Sequence, residues 1–169
     1  HHRADTFYYI SPLCQSGGYN PEGLKFLREK LLPASDPTGP DLRVFVTRRS
    51  KHRRLANLAE VEDYFAGNGW LVVDAATLSF DEQMSIFQSA TSVCGLHGAA
   101  MTNIVWCRPG TSVLEIFPRN YLNACYEIIA GTLDLPYRAH VLSDHGGTTD
   151  VVDLTVLREA HPDFLGKVF

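Results

Sequence analysis

The stretch Thr91-Ser92-Val93-Cys94-Gly95-Leu96-His97-Gly98-Ala99-Ala100-Met101-Thr102-Asn103-Ile104-Val105-Trp106-Cys107-Arg108-Pro109-Gly110-Thr111-Ser112-Val113-Leu114-Glu115-Ile116-Phe117 decides the fold. A short apolar run ends in a turn of small residues, a helical pattern follows, and Pro109-Gly110 stops it before a second apolar run. Strand, helix, strand in that order is a βαβ unit, which calls for a parallel sheet. The reading gives strands at 91–95 and 111–117 and a helix at 98–106. Working outward, further strands are expected at 42–47, 70–74 and 137–142. Helix starts are marked by Asn57 with Glu60 and by Ser79 with Glu82, each with the spacing of a capping box. Helices are also expected at 120–132 and at 153–160, the latter ending before Pro162. The predicted class is α/β, a three-layer domain with a mostly parallel sheet over residues 41–169. An amino-terminal segment, 1–40, holds a helix that opens at Asn20-Pro21 and a linker at Pro33–Pro40.

The chain has 169 residues, 45% of them hydrophobic and 20% charged, as in an ordinary single globular domain. No apolar run reaches the roughly 20 residues that span a bilayer. The opening His1-His2 is read as the remnant of a purification tag with no signal peptide behind it. Cys14, Cys94, Cys107 and Cys125 form no C-x-x-C pair, which signals neither zinc nor a disulfide framework, and Cys94 and Cys107 read as buried free thiols. The net charge of −4 hides an asymmetry: residues 43–54 hold six of the fifteen Lys and Arg and no acidic residue. One concentrated basic segment on an acidic domain suits a small phosphorylated ligand, whereas nucleic-acid binders spread their basic surface more widely. Nucleic acid is therefore not an expected partner.

In parallel sheets, ligands bind at the carboxyl ends of the strands, where helix amino termini present free N–H groups. Three such ends carry chemistry here. The first strand runs into Thr47-Arg48-Arg49-Ser50-Lys51-His52-Arg53-Arg54, whose guanidinium groups match phosphate oxygens in charge and geometry. The segment reads either as an anion site or as a solvated loop, and for Arg49, Lys51 and His52 taken individually the solvated loop is the reading. The third strand ends in Gly95-Leu96-His97-Gly98-Ala99-Ala100, small residues whose amides could receive a diphosphate. Either His97 donates to a phosphate oxygen or moves a proton, which makes it a candidate catalytic residue, or it only caps the turn. Glu115 is a carboxylate in an apolar strand and must have a partner. Ribose hydroxyls and an arginine of the basic segment are the two alternatives. Asn103 is expected to reach back to the same crevice, and Gln83 either faces the ligand or packs locally. Phe80, Phe87 and Trp70 read as packing. The first βα turn holds arginines where a dinucleotide fingerprint needs glycines, which argues against an NAD-dependent oxidoreductase.

Together, Thr47-Arg48, Arg53-Arg54 with Asn57 and Glu60, Leu78-Ser79-Phe80 with Glu82-Gln83, Gly95 with His97-Gly98-Ala99, Asn103, Pro109-Gly110 and Glu115 resemble glycosyltransferase family 61 in order and spacing. The resemblance runs over about residues 42–142. It implies the carboxyl-terminal, Rossmann-like half of a GT-B glycosyltransferase that inverts at the sugar carbon and takes a nucleotide sugar, with a UDP-sugar favoured. It further implies a donor site of Arg48, Arg53, Arg54, Gln83, His97, Gly98, Ala99, Asn103 and Glu115. No metal and no cofactor are expected, since arginines and helix amino termini can stabilise a departing nucleoside diphosphate. The expected partners are the nucleotide sugar, a glycan acceptor and an amino-terminal domain or subunit bearing the acceptor site, with a homodimer as another way to cover the shared face. Ala100 departs from the family, which often has a second glycine there. The expected location is the bacterial cytoplasm, or the secretory lumen for a truncated eukaryotic enzyme. The alternative is a module that binds a nucleotide sugar without turning it over.

Overall fold

A computed structural model of the chain describes residues 19–32, 40–49, 55–143 and 149–165. Five strands form one sheet: β1 (Leu42–Val46), β2 (Leu71–Val73), β3 (Ala90–Leu96), β4 (Ser112–Phe117) and β5 (Tyr137–Val141). The strand order is β2-β1-β3-β4-β5, and every pairing is parallel. All five expected strands form, within a residue or two at their ends. Helices α1 (Pro21–Leu31), α2 (Leu58–Gly67), α3 (Phe80–Gln88), α4 (Cys125–Thr132), α5 (Leu154–Ala160) and α6 (Pro162–Leu165) complete the described chain, with 3₁₀ segments at Ala75–Thr77 and Ala99–Trp106.

Alternation along each strand divides the core into two layers, because successive side chains point to opposite faces. Val44, Val46, Val93 and Val113 pack on one side with Leu24, Phe87, Met101, Ile104 and Ile129. Phe45, Cys94, Leu114 and Ile116 pack on the other with Phe65, Trp70, Leu157 and Phe164. Helices cover both faces, as the expected three-layer Rossmann-like architecture requires. Helix α1 belongs to the first layer through Leu24, and its Arg28 donates to the carbonyls of Val105 and Cys107, the latter at 2.9 Å. The linker residues 33–39 lie outside the described residues. Phe87 and Trp70 are buried, the latter beneath the Arg43 guanidinium, while Phe80 is half-exposed with its edge against Trp106.

Local signals explain most helix starts. Asn20 accepts from the Gly23 amide at 2.8 Å ahead of Pro21, and Ser79 and Glu82 form the expected reciprocal capping box. Asn57 differs: its side chain makes no cap bond. Its amide instead donates to the Val152 carbonyl at 2.9 Å and accepts from the Val152 N–H at 3.1 Å, a two-point match to the backbone of one residue that also leaves a bond to Glu60. The segment at 98–106 winds as 3₁₀ helix, and the Asn103 side chain binds the Ala100 carbonyl inside it. The helix expected from 120 begins only at Cys125, because Pro118–Asn123 turns first and brings Tyr121 against the His97 ring. Helix α6 was not marked by the sequence reading.

Candidate functional site

The order β2-β1-β3 places a topological switch between β1 and β3, where the connections leave to opposite sides and open a crevice at the strand ends. A cleft of about 440 Å³ lies there. Its walls are Thr47, Arg48 and Arg49 from the end of β1, Asp74 and Ala76 after β2, and Gly98, Ala99 and Ala100 after β3. This is the place the sequence reading marked. Arg53 and Arg54 lie outside the described residues.

Arg48 and Gly98 meet across the switch. The Arg48 guanidinium donates to the His97 carbonyl at 2.7 Å and lies so close over Gly98 that a Cβ there would stand 2.0 Å from Arg48 Nη1. Gly98 has φ 173°, extended backbone open to any residue, so contact rather than conformation demands glycine at this position. Gly95 is a glycine for a different reason: a Cβ would fall 2.7 Å from the Met101 sulfur and 2.9 Å from Val46 Cβ, so it serves packing beneath the turn and not approach to a ligand. From Gly98 the 3₁₀ helix begins, and its first amides have no acceptor within the helix. Arg49, exposed, pairs with Glu62 of α2 at 3.2 Å, and the buried Thr47 hydroxyl donates to the same carboxylate. The carboxylate thus fixes the end of β1.

The side chain of His97 turns away from this cleft toward β4. Its Nδ1 meets Glu115 Oε1, and its ring stacks on Phe117 at 5.0 Å, with Tyr121 and Tyr126 on other sides. Glu115 is fully buried, and its second oxygen accepts from the Tyr137 hydroxyl at 2.6 Å. The partners Glu115 has within the chain are His97 and Tyr137, and not the arginine of the basic segment that was one of its two expected alternatives. The parallel register sets Gly95 beside Glu115, so the histidine two residues on reaches the carboxylate first. Burial pushes the Glu115 carboxyl up to about 7, against the opposing effect of the Tyr137 hydrogen bond. The Tyr126 hydroxyl donates to the Gly98 carbonyl at 2.7 Å and pins the other side of the turn.

Gln83 and Asn103 form the support behind the cleft and do not line it. The Gln83 amide donates to the Ala75 carbonyl at 3.0 Å and the Leu78 carbonyl at 3.1 Å, and its oxygen accepts from Asn103 at 2.8 Å. The 3₁₀ turn at Ala75–Thr77 leaves carbonyls that need donors, and this side chain supplies them. Of the alternatives for Gln83, local packing is the one formed. The sequence reading missed Asp74, Glu62, Tyr126 and Tyr137. Asp74 was within reach, since it closes a strand whose end the same crevice rule marks. Cys94 and Cys107 are free and buried as expected, and burial pushes the Cys107 thiol up to about 12. Among the described residues, no group of three or more His, Cys, Asp or Glu is placed to hold a metal ion, and no helix is long and apolar enough to cross a membrane.

The family model described as Glycosyltransferase 61 matches residues 2–114, which span β1 to β3, Arg48 and the His97-Gly98 turn. The chain belongs to glycosyltransferase family 61. It is similar to Beta-1,2-xylosyltransferase RCN11 of Oryza sativa subsp. japonica, at 30% identity over 75% of this chain and 27% of the rice protein. It is also similar to Beta-1,2-xylosyltransferase of Arabidopsis thaliana, at 32% identity over 46% of this chain and 15% of that relative. The alignments thus take in about a quarter or less of these family 61 relatives.

Proposed function

We propose that this family 61 chain binds the nucleotide-sugar donor of a glycosyltransferase, with the diphosphate in the β1–β3 cleft against Arg48 and the Gly98 and Ala99 amides. The observation that carries the reading is the apposition of Arg48 and Gly98 across the switch point, which joins a guanidinium to a helix start at one spot. Arg53 and Arg54 follow β1 closely in the sequence and add positive charge to the same stretch of chain sequence. Asp74 is the carboxylate on the cleft wall, and we assign it the sugar-hydroxyl contact first expected of Glu115. Glu115 then acts on the site through His97.

The reaction is displacement at the anomeric carbon. The acceptor hydroxyl loses its proton to a base and attacks that carbon, while the bond to the diphosphate oxygen breaks and the electron pair leaves with the nucleoside diphosphate. Arg48 and the helix amides stabilise the charge that develops on the leaving group, and no divalent cation is assigned a part. Both relatives are named as forming β-1,2 linkages. A β product from an α-linked nucleotide sugar requires inversion, and UDP-xylose is the first donor to test.

Calorimetric titration with UDP, GDP and CMP tests the reading, with UDP expected to bind and Arg48→Ala expected to weaken it by about 1–3 kcal/mol. Slow hydrolysis of UDP-xylose by the chain separates an enzyme from a module that only binds. Well-folded protein that binds none of the three nucleotides refutes the donor site.

A further inference from the structure

Two consecutive arginines leave the end of β1 in different directions. Arg48 crosses the switch point to the His97 carbonyl, while Arg49 turns toward α2 and meets Glu62. Both arginines line the cleft and Glu62 does not. The Glu62 side chain is 18% exposed against 61% for Arg49, and the buried Thr47 hydroxyl donates to its Oε1. The carboxylate is therefore held in place, yet its hold on the guanidinium is loose. Arg49 reaches Oε1 from Nε and from Nη2, each at 3.3 Å, and Oε2 from Nη2 at 3.2 Å, while Nη1 has no bond among the described residues.

We propose that Arg49 is a second phosphate ligand of the donor site, held by Glu62 in the free chain and drawn to the diphosphate when the donor binds, so that Glu62 sets how firmly the site grips the nucleotide. The inference rests on the donor-site reading above. It gives Arg49, which the sequence reading left as solvated loop, a part of its own.

The exchange follows from charge and solvent. An exposed ion pair contributes little, because water screens it and a long side chain loses freedom to keep it. Arg49 therefore gives up little by leaving Glu62. A diphosphate offers more negative charge than one carboxylate, and its oxygens match the planar guanidinium fork with shorter bonds than the 3.2 Å contact to Glu62. Arg48 and Arg49 are neighbours in the chain, with α-carbons about 3.8 Å apart, so a diphosphate against the first lies beside the second. Glu62 cannot follow, since α2 carries it and Thr47 holds it. It stays behind as a carboxylate without its counter-charge, which opposes the exchange. Glu62 thus limits how strongly the cleft retains the nucleoside diphosphate left after transfer.

Calorimetry with UDP and with inorganic pyrophosphate tests this in the parent, Arg49→Ala, Glu62→Gln and the double variant, with circular dichroism to confirm each fold. Glutamine keeps an oxygen for the Thr47 hydroxyl and removes the charge. Arg49→Ala should weaken both ligands about threefold to tenfold, the loss of one partly solvated charge-assisted bond. Glu62→Gln should tighten both about twofold to fivefold, the contribution of the exposed pair it releases. In the Arg49→Ala background Glu62→Gln should change little, because no guanidinium is left to release. A carboxylate that only fixes the end of β1 gives the opposite sign, weaker binding in Glu62→Gln with or without Arg49. One that only repels phosphate gives equal tightening in both backgrounds. Either pattern overturns the exchange, as does UDP binding that Arg49→Ala leaves unchanged, and binding still lost in Arg48→Ala would then keep the donor site standing. A parent chain that binds neither UDP nor pyrophosphate overturns the donor-site reading and this inference with it.

Discussion

Gly98→Ala tests the contact on which the site is built. The new methyl would stand 2.0 Å from Arg48 Nη1 and 3.1 Å from Cζ, where ordinary contact begins at 3.4 Å. The backbone at this position is extended and accepts alanine without strain. All of the cost therefore falls on Arg48, whose guanidinium must retreat by about 1.4 Å. That movement breaks the 2.7 Å bond to the His97 carbonyl. A charged hydrogen bond contributes about 1.5–3 kcal/mol when desolvated, and Arg48 is only half-buried, so water replaces part of it and the expected loss is about 1 kcal/mol. In an Arg48→Ala background the methyl meets no guanidinium, and the same change should cost almost nothing. Urea unfolding of the four proteins gives the coupling energy directly, expected at about 1 kcal/mol. On the proposed donor site, UDP affinity should fall about tenfold in Gly98→Ala, about 1.4 kcal/mol, because the methyl would also stand where the diphosphate is proposed to approach the backbone. Additive costs, or a Gly98→Ala protein that binds UDP as well as the parent, would refute the reasoning.

Glu115 gives stability a pH dependence of definite sign. Its carboxyl is raised to about 7 in the folded chain from 4.5, so the native state keeps a proton that the unfolded chain releases. The contribution of Glu115 to stability should be fully present below about pH 4.5 and be lost as pH rises through about 7, on the order of 3 kcal/mol. Glu115→Gln should flatten this slope in urea unfolding across that window, and an unchanged slope would assign it elsewhere. Gln83→Leu strips the Ala75 and Leu78 carbonyls of their donor and should cost about 1–2 kcal/mol, with weaker UDP binding as the cleft wall loosens. Equal stability and affinity would deny the supporting role. Asp74→Ala should weaken UDP binding several-fold yet leave inorganic pyrophosphate binding unchanged, since only the nucleotide offers ribose hydroxyls; equal effects on both would place the aspartate near the phosphates.

The sheet was legible because its strands are short apolar runs bounded by turn residues, and because each burial layer takes every second residue of a strand. Ser79-x-x-Glu82 was legible as a cap for a local reason, since both partners lie within one turn of chain. Asn57 carried the same local signal and does something else. Its amide found the backbone N–H and C=O of Val152, 95 residues away, which satisfy it at two points. Long-range register explains the rest. Glu115 declared itself as a carboxylate that needed a partner, but which partner depended on the β3–β4 register that sets Gly95 beside it, and on Tyr137 arriving from β5. Neither pairing offset is written in the local sequence. Gln83 and Asn103 were expected at the crevice, yet they stand behind it, because backbone carbonyls of the 3₁₀ segments claim their amides.

The most direct measurement is a crystal structure of the chain soaked with UDP. The account predicts the diphosphate in the β1–β3 cleft, its oxygens bonded to the Arg48 guanidinium and the Gly98 and Ala99 amides, with a ribose hydroxyl on Asp74. UDP bound away from Arg48 and Gly98, with that cleft still empty, would contradict it.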